Sequence, residues 1–259
     1  MNKELAVLCH HLEDLIDKSY MQERPFYSDF LSLEESGELI EYLRKHTEVS
    51  LKLDGGYDHA ERQIMIITPV DSHVDICPPI DCIRIEPLQF RFHDELTHRD
   101  YLGALMHLGI ERSLLGDIVI HQETRKGHTY PVACVFCVKR ISDFILQELL
   151  QIKHTHIRCS REMDYRSQHP PKLETLEGTV ASNRIDAVAA WLTHLSRTQI
   201  NTLIREKKVF INNICIQTPS YQLKENDILR IRGYGKYIFQ GNGNRTKKGR
   251  LVVYVQKYI

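Results

Sequence analysis

The chain of 259 residues has no formal net charge, but it reaches zero as two blocks of opposite sign. Residues 182–259 hold 14 Lys and Arg against 4 Asp and Glu, a balance of +10, and residues 1–181 hold 20 against 30, a balance of −10. Such a division describes a basic module attached to an acidic body. The basic end points to nucleic acid or an anionic membrane surface as its partner. The plainer alternative is a soluble surface whose charge is merely uneven.

An apolar content of 42% and a charged content of 26% are those of a globular chain, long enough for two or three domains. No apolar run approaches the roughly 18–20 residues that span a bilayer, so membrane insertion is not expected. The first residues, Met1-Asn2-Lys3-Glu4, lack the apolar core of a signal peptide, which makes the cytoplasm the expected compartment. Seven cysteines (Cys9, Cys77, Cys82, Cys134, Cys137, Cys159 and Cys215) are odd in number and scattered, a pattern of reduced thiols.

Apolar spacing organises the acidic body. Leu5, Leu8, Leu12, Leu15 and Ile16 recur at three- and four-residue steps and predict a helix. A second helix is expected over Ser32 to His46, with Glu34 and Glu35 favouring its N-terminal dipole. Residues 49–53 and 63–67 read as strands, with Gly55-Gly56 between them. This segment, with 16 Asp and Glu against 7 Lys and Arg through Ile80, is unsuited to gripping phosphates and is a candidate surface for a protein partner.

Pro78-Pro79 punctuates the chain. Beyond it, Asp81 to Phe92 reads as a strand with Ile83, Ile85 and Leu88 facing a core, and Thr97 to Leu108 reads as a helix. Asp117 to His121 and Thr129 to Phe136 read as strands joined through Lys126-Gly127; Ile141 to Leu150 reads as a helix and His154 to Cys159 as a last strand. The order β-α-β-β-α-β is the split arrangement of ferredoxin-like folds, used by many RNA-binding modules. Arg158, Arg161 and Arg166 form a second basic group that, with Lys172, either extends an RNA-facing surface or guards a solvated strand edge. His169-Pro170-Pro171-Lys172 reads as a linker.

In the basic module, Arg184 to Leu195 reads as an amphipathic helix burying Ile185, Val188, Leu192 and Leu195. Ser196 begins a second helix and, with Gln199 three residues on, forms a capping box. Arg197 stands in the first turn, where positive charge opposes the helix dipole. It either docks an anion there or is held by a carboxylate such as Asp186. Arg205, Lys207 and Lys208 close the helix. Val209-Phe210-Ile211-Asn212 and Ile214-Cys215-Ile216 form a hairpin around Asn212-Asn213. Residues 228–231 and 251–259 are expected strands. Arg245-Thr246-Lys247-Lys248-Gly249-Arg250 reads as a flexible basic loop.

Arg184-Ile185-Asp186, Ser196-Arg197 and Val209-Phe210-Ile211-Asn212 resemble the signature of the S4 domain, whose members bind structured RNA through phosphates and helix shape. Where that family usually places glycine before the strand, Lys208 stands here. His98-Arg99-Asp100-Tyr101-Leu102-Gly103, Leu108-Gly109-Ile110-Glu111-Arg112 and Leu115-Gly116-Asp117-Ile118 resemble the middle-domain signature of the YlmH family, bacterial S4 proteins encoded near cell-division loci. The resemblance implies an α+β chain in three parts: an acidic N-terminal domain over 1–80, a ferredoxin-like (RNP-like) domain over 81–170 and an S4 domain over 182–259. It implies RNA or ribosome binding without catalysis, and kinship with proteins linked to stalled large ribosomal subunits that hold peptidyl-tRNA. The expected RNA-facing residues are Arg184, Asp186, Ser196, Arg197, Gln199, Arg205, Lys207, Lys208, Asn212, Arg230, Arg232, Lys236, Arg245, Lys247, Lys248 and Arg250.

Other chemistry finds incomplete sets. His98-Arg99-Asp100 matches the start of a kinase catalytic loop, but Leu105 replaces the metal-binding asparagine. The same aspartate suggests a pseudouridine synthase targeted by its S4 domain, although the surrounding catalytic domain is not recognisable. Asp100 and Arg99 are expected to brace a helix start, with Gly103 and Gly109 allowing close packing. Cys134 and Cys137 form a lone CxxC that needs two further ligands, such as His154, His156 or Cys159, to hold zinc. The expectation is therefore no catalytic residue, no metal and no cofactor. The readings that stay open are an RNA-binding protein acting on rRNA or tRNA at the large subunit, an RNA-modifying enzyme, and a cell-division adaptor.

Overall fold

Nine consecutive buried residues, Tyr130 to Val138, dictate how the first two-thirds of the chain is layered. A strand that hides both faces needs a layer on each side of its sheet. The structure is a computed structural model describing residues 3–58, 60–70, 72, 76–125, 127–170 and 172–258. Lys126, Pro171 and Ile259, which belong to the expected turn, linker and last strand, lie outside the described residues. The chain divides into two compact units, Met1–Pro170 and Pro171–Ile259.

The first unit begins with α1 (Lys3–Gln22), β1 (Phe26–Leu31), α2 (Leu33–Leu43), β2 (Val49–Asp54) and β3 (Gln63–Pro69). The strands form an antiparallel sheet in the order β1-β3-β2. One face is covered by the apolar stripes of the helices, with Leu12, Ile16, Leu39 and Leu43 packed around Met65 and Ile67. Ser32 caps α2: its hydroxyl accepts from the Glu35 N–H while the Glu35 carboxylate accepts from the Ser32 N–H at 2.7 Å. Strand β1 was not anticipated, because Phe26-Tyr27-Ser28-Asp29-Phe30-Leu31 lacks regular alternation; its pairing with β3 is irregular between Tyr27 and Phe30.

Next come β4 (Ile80–Pro87), α3 (His98–His107), β5 (Leu115–Arg125), β6 (His128–Val138), α4 (Ser142–Glu148), β7 (Gln151–Ile152), β8 (Thr155–Arg161) and a short α5 (Tyr165–Gln168). They form the expected ferredoxin-like layout as an antiparallel sheet ordered β5-β6-β4-β8-β7. Helices α3 and α4 cover one face, Tyr101, Leu105 and Ile145 resting on Ile83, Ile85, Val135 and Cys137. The N-terminal sheet covers part of the other, Phe30, Ile64 and Ile66 meeting Cys82, Cys134, Phe136 and Val138. Cys134 and Cys137 thus face opposite layers, so one metal ion cannot take both. Leu88, expected in the core, is 58% exposed, because the strand ends at Pro87 and the chain turns outward. Gly103 and Gly109 do not serve close packing: a Cβ at either would meet open space. Gly109 is instead needed for its left-handed backbone, φ +81°, just after α3.

The two sheets are joined by charged groups at the start of β5. Asp117 accepts from the Tyr57 hydroxyl at 2.8 Å and from the backbone N–H groups of Glu61 and Arg62. The Arg62 guanidinium crosses the joint, donating to the carbonyls of Leu115 at 2.9 Å and Phe30 at 2.8 Å. Arg112 donates to the carbonyls of Leu115 and Gly116. Burial, and then the adjacent Arg62 charge, pushes the Arg112 guanidinium down to about 10, still protonated at neutral pH. Gly116 lets the backbones close: a Cβ there would lie 2.7 Å from the Phe30 ring.

The second unit holds β9 (Leu173–Val180), α6 (Ile185–Thr193), α7 (Arg197–Arg205), β10 (Val209–Ile211), β11 (Ile214–Cys215), β12 (Ile228–Ile231), β13 (Gly235–Arg245) and β14 (Leu251–Tyr258). Its antiparallel sheet runs β11-β10-β12-β13-β14-β9. The sheet begins upstream of the expected start at residue 182, because β9 pairs along β14 from Leu173↔Tyr258 to Val180↔Leu251. Gly178 makes room on β9 for the Trp191 ring, which would lie 2.1 Å from a Cβ. Ile185, Val188, Ile200 and Ile204 form the helical side of the core, while Leu192, Leu195 and Leu203 are only partly buried against it. Residues 245–250 are an ordered hairpin tip where a flexible loop was expected. The Thr246 N–H donates to the Arg250 carbonyl at 2.7 Å and the Gly249 N–H to the Thr246 carbonyl at 2.8 Å.

Two outcomes follow from this packing. Gly116→Ala should destabilise the first unit by about 1–3 kcal/mol through overpacking against Phe30, measured as a lower urea midpoint at unchanged slope. Glu123 on β5 receives both Arg84 Nη groups, at 2.8 and 2.7 Å, and these bonds bring its carboxyl down from the ordinary 4.5 to about 2. A lowered carboxylate stabilises the fold above its unfolded value and loses that effect as pH falls through the folded one. The stability difference between the native chain and Glu123→Gln should therefore be full above about pH 5 and vanish progressively between pH 4.5 and 2, measured by thermal melts.

Candidate nucleic-acid interface

The basic unit divides its cations between those that hold the fold and those left in solvent. Arg184, at the N-cap of α6, forks onto Asp186 with two bonds of 3.1 Å, and Asp186 is 4% exposed. Asp186 is therefore engaged by Arg184 and not by Arg197. Arg197 is exposed and forms no ion pair among the described residues. Ser196 and Gln199 make the reciprocal capping box, the Gln199 side chain accepting from the Ser196 N–H at 2.9 Å. Their polar atoms are used in starting α7.

Helix α7 has nine residues, so its ends stand roughly 12 Å apart at 1.5 Å per residue. Arg197 occupies the first turn and Arg205 the last. Past the end, Lys207 adopts φ +56°, and the Lys208 N–H returns to the Leu203 carbonyl at 2.9 Å. The left-handed position normally given to glycine after a helix is thus held by Lys207, one residue before the expected departure at Lys208. Lys208 pairs with Glu206 at 2.7 Å, whereas Lys207 is exposed with no ion pair among the described residues.

Asn212 and Asn213 form the left-handed hairpin turn, with φ +50° and +69°. Both ends of the Asn212 amide are engaged: its Nδ2 donates to Asp227 at 2.9 Å and its Oδ1 accepts from the Ile228 N–H at 2.9 Å. Asp227, 5% exposed, also accepts from the Lys224 N–H and the Tyr221 hydroxyl. This buried carboxylate, whose position in the turn before residues 228–231 the sequence shows but whose bonding role it does not, ties the hairpin to the turn before β12. Its signal was local: an aspartate following a Lys-Glu-Asn turn at the head of an apolar strand.

Arg230 is buried on β12, Arg232 lies over the Phe210 ring at 5.2 Å, and Lys236 lies over Tyr258 at 5.2 Å. At the β13–β14 tip, Arg245 donates to the Gly249 carbonyl and Arg250 to the Thr179 carbonyl, while Lys247 and Lys248 project into solvent. Among the expected RNA-facing cations, those left most open to a ligand are Arg197, Lys207, Lys247 and Lys248, while the exposed Arg205 leans back on the Asn201 carbonyl and the Thr202 hydroxyl at 3.4 Å.

The second basic group belongs to the acidic body. Arg158 pairs with Glu86, Arg161 with Asp81 and Asp143, and Arg166 with Asp54 and Asp58. These arginines are neutralised within the fold. Asp100 caps α3 by accepting from the Thr97 N–H at 2.7 Å and pairs with Lys153 at 2.8 Å, the Lys153 bond being the main reason its carboxyl falls to about 2. Among the described residues no cluster of three or more His, Cys, Asp or Glu side chains forms a metal site, and no helix is long and apolar enough to cross a membrane.

Comparison with known proteins places three families in series along the chain. "YlmH, N-terminal" matches residues 8–72, "Putative RNA-binding domain in YlmH" matches 87–166 and "S4 domain" matches 184–229. A relative from Bacillus subtilis (strain 168), named "Ribosome-associated protein quality control protein P2", is 29% identical over 234 residues, 88% of this chain and 86% of that protein. A solved structure, "Cell division protein ylmH from Streptococcus pneumoniae", is 15% identical with a TM-score of 0.49, covering 62% of this chain and 93% of that one. None of the matched families is described as an enzyme. The chain thus carries the two YlmH-family domains, N-terminal and RNA-binding, followed by an S4 domain.

Proposed function

We propose that this protein is a non-catalytic, cytoplasmic RNA-binding protein whose S4 domain docks on structured rRNA or tRNA of the large ribosomal subunit, in the rescue or quality control of stalled ribosomes. The observation that carries this reading is the set of exposed cations at both ends of α7 and at the β13–β14 tip, on a unit whose carboxylates are few. The name of the Bacillus subtilis relative supports the ribosomal setting. Cations spaced along a short helix suit phosphates across a groove of folded RNA, read by shape. The acidic N-terminal domain repels the same phosphates and is left for a protein partner.

A triple variant, Arg197→Ala with Lys207→Ala and Lys208→Ala, tests the surface. It should keep its circular dichroism and melting behaviour but fail to co-sediment with large subunits. The slope of log affinity against log salt should become shallower by about 2–3, roughly one for each lost phosphate contact. Unchanged co-sedimentation of the folded variant would refute the assignment of this face.

Lys207 offers an independent check. A non-glycine residue at φ +56° is strained by about 1 kcal/mol or more, and glycine would relieve that strain. Lys207→Gly should therefore raise the thermal midpoint of the second unit while weakening RNA binding. A variant improved in both respects would show that the lysine has no part in RNA contact.

A further inference from the structure

The sheet of a ferredoxin-like RNA-binding module ordinarily offers aromatic side chains to stacked bases. That face is partly occupied here. The N-terminal sheet covers part of it through Phe30, Ile64 and Ile66, and the network of Arg84 with Glu86, Glu123 and Glu162 adds carboxylates. The rim is the better-placed surface of this domain for RNA contact.

One stretch of rim has the required chemistry. After β4, Phe92 is 76% exposed, and Arg91 beside it is also exposed. Phe90 lies at 4.6 Å from the Tyr130 ring, with the Arg125 guanidinium 5.1 Å over its centroid. Residues 88–92, with Arg125 and His128 from the β5–β6 tip, line a cavity of about 290 Å³ to which no carboxylate contributes. The carboxylates nearest in sequence are engaged: Glu123 by Arg84, and Asp94 by the His154 N–H and the Thr155 hydroxyl. Neither Arg91 nor Arg125 is in an ion pair among the described residues. A purely apolar peptide would leave these two arginines without partners. A nucleotide supplies both a flat ring for the exposed Phe92 and a phosphate for the arginines.

We propose that the Leu88–Phe92 loop, with Arg125 and His128 from the facing ends of β5 and β6, forms a second RNA site that stacks an unpaired base on Phe92 and holds the adjoining phosphates with Arg91 and Arg125, the Tyr130–Phe90–Arg125 stack serving as its floor. It deepens the reading of this domain as RNA-binding and is separate from the S4 surface.

The test uses the full chain carrying the Arg197, Lys207 and Lys208 substitutions, so that S4 binding is weakened. A fluorescent uridine-rich strand of about ten nucleotides is titrated by anisotropy, with an RNA hairpin as the structured control on the otherwise native chain. Phe92→Ala should weaken binding of the single strand about tenfold, and Phe92→Tyr should retain it. Arg91→Ala with Arg125→Ala should also weaken it and flatten its salt dependence. Hairpin binding should be unaffected by Phe92→Ala, and ultraviolet crosslinks of the single strand should fall in peptides spanning residues 88–92. Equal single-strand affinity for Phe92→Ala and its parent, or crosslinks confined to the S4 domain, would overturn the proposal. Loss of hairpin binding in the S4 triple variant alone would leave the S4 reading standing.

Discussion

The acidic body depends on one half-buried joint: Asp117 held by Tyr57 and two backbone N–H groups, and Arg62 reaching back to the carbonyls of Phe30 and Leu115. Apolar packing between the sheets is generous but has no preferred register, because hydrophobic burial is non-directional. Charged hydrogen bonds to named backbone atoms supply that register. The cost of desolvating Arg62 and Arg112 is offset because each guanidinium meets several carbonyls. The N-terminal and middle domains consequently form a single unit.

This arrangement changes what the family signature means. Leu115-Gly116-Asp117-Ile118 and Arg112 lie at the joint, where a motif hunter would look for an active site. Leu115 lends its carbonyl, Gly116 lends space, Asp117 anchors the facing loop and Ile118 fills the core. Asp100 similarly serves its own helix. The S4 unit shows the reverse. Its fold engages Arg184, Asp186, Ser196, Gln199 and Asn212 in internal bonds, while Arg197 and Lys207 stand where neither dipole nor backbone geometry favours them. Residues poorly suited to their local structure are the stronger functional markers.

Much of the fold was legible because its long helices and hydrophobic strands carry clean periods. The capping box at Ser196 sits where the sequence put it, and α2 starts at the expected Ser32, there through a capping box with Glu35 that the sequence reading did not name. The missed strands share a cause. β1 is irregular, β9 alternates exposed and partly buried residues, and β13 ends in Gly241-Asn242-Gly243-Asn244; their pairing is stabilised by neighbours distant in sequence. The basic surface was visible as composition, but its sorting was not. Whether an arginine forks onto a buried aspartate or faces water depends on contacts that no spacing rule encodes.

The pairing of Gly178 with Trp191 has an optical consequence. The chain contains a single tryptophan, seated over β9 within the second unit. Its indole emission therefore reports the packing of α6 on β9 within the second unit. Backbone circular dichroism sees both units. A fluorescence transition displaced from the dichroic one would resemble a folding intermediate, yet unequal stabilities of the two units, watched through a window that opens on one of them, would give the same displacement.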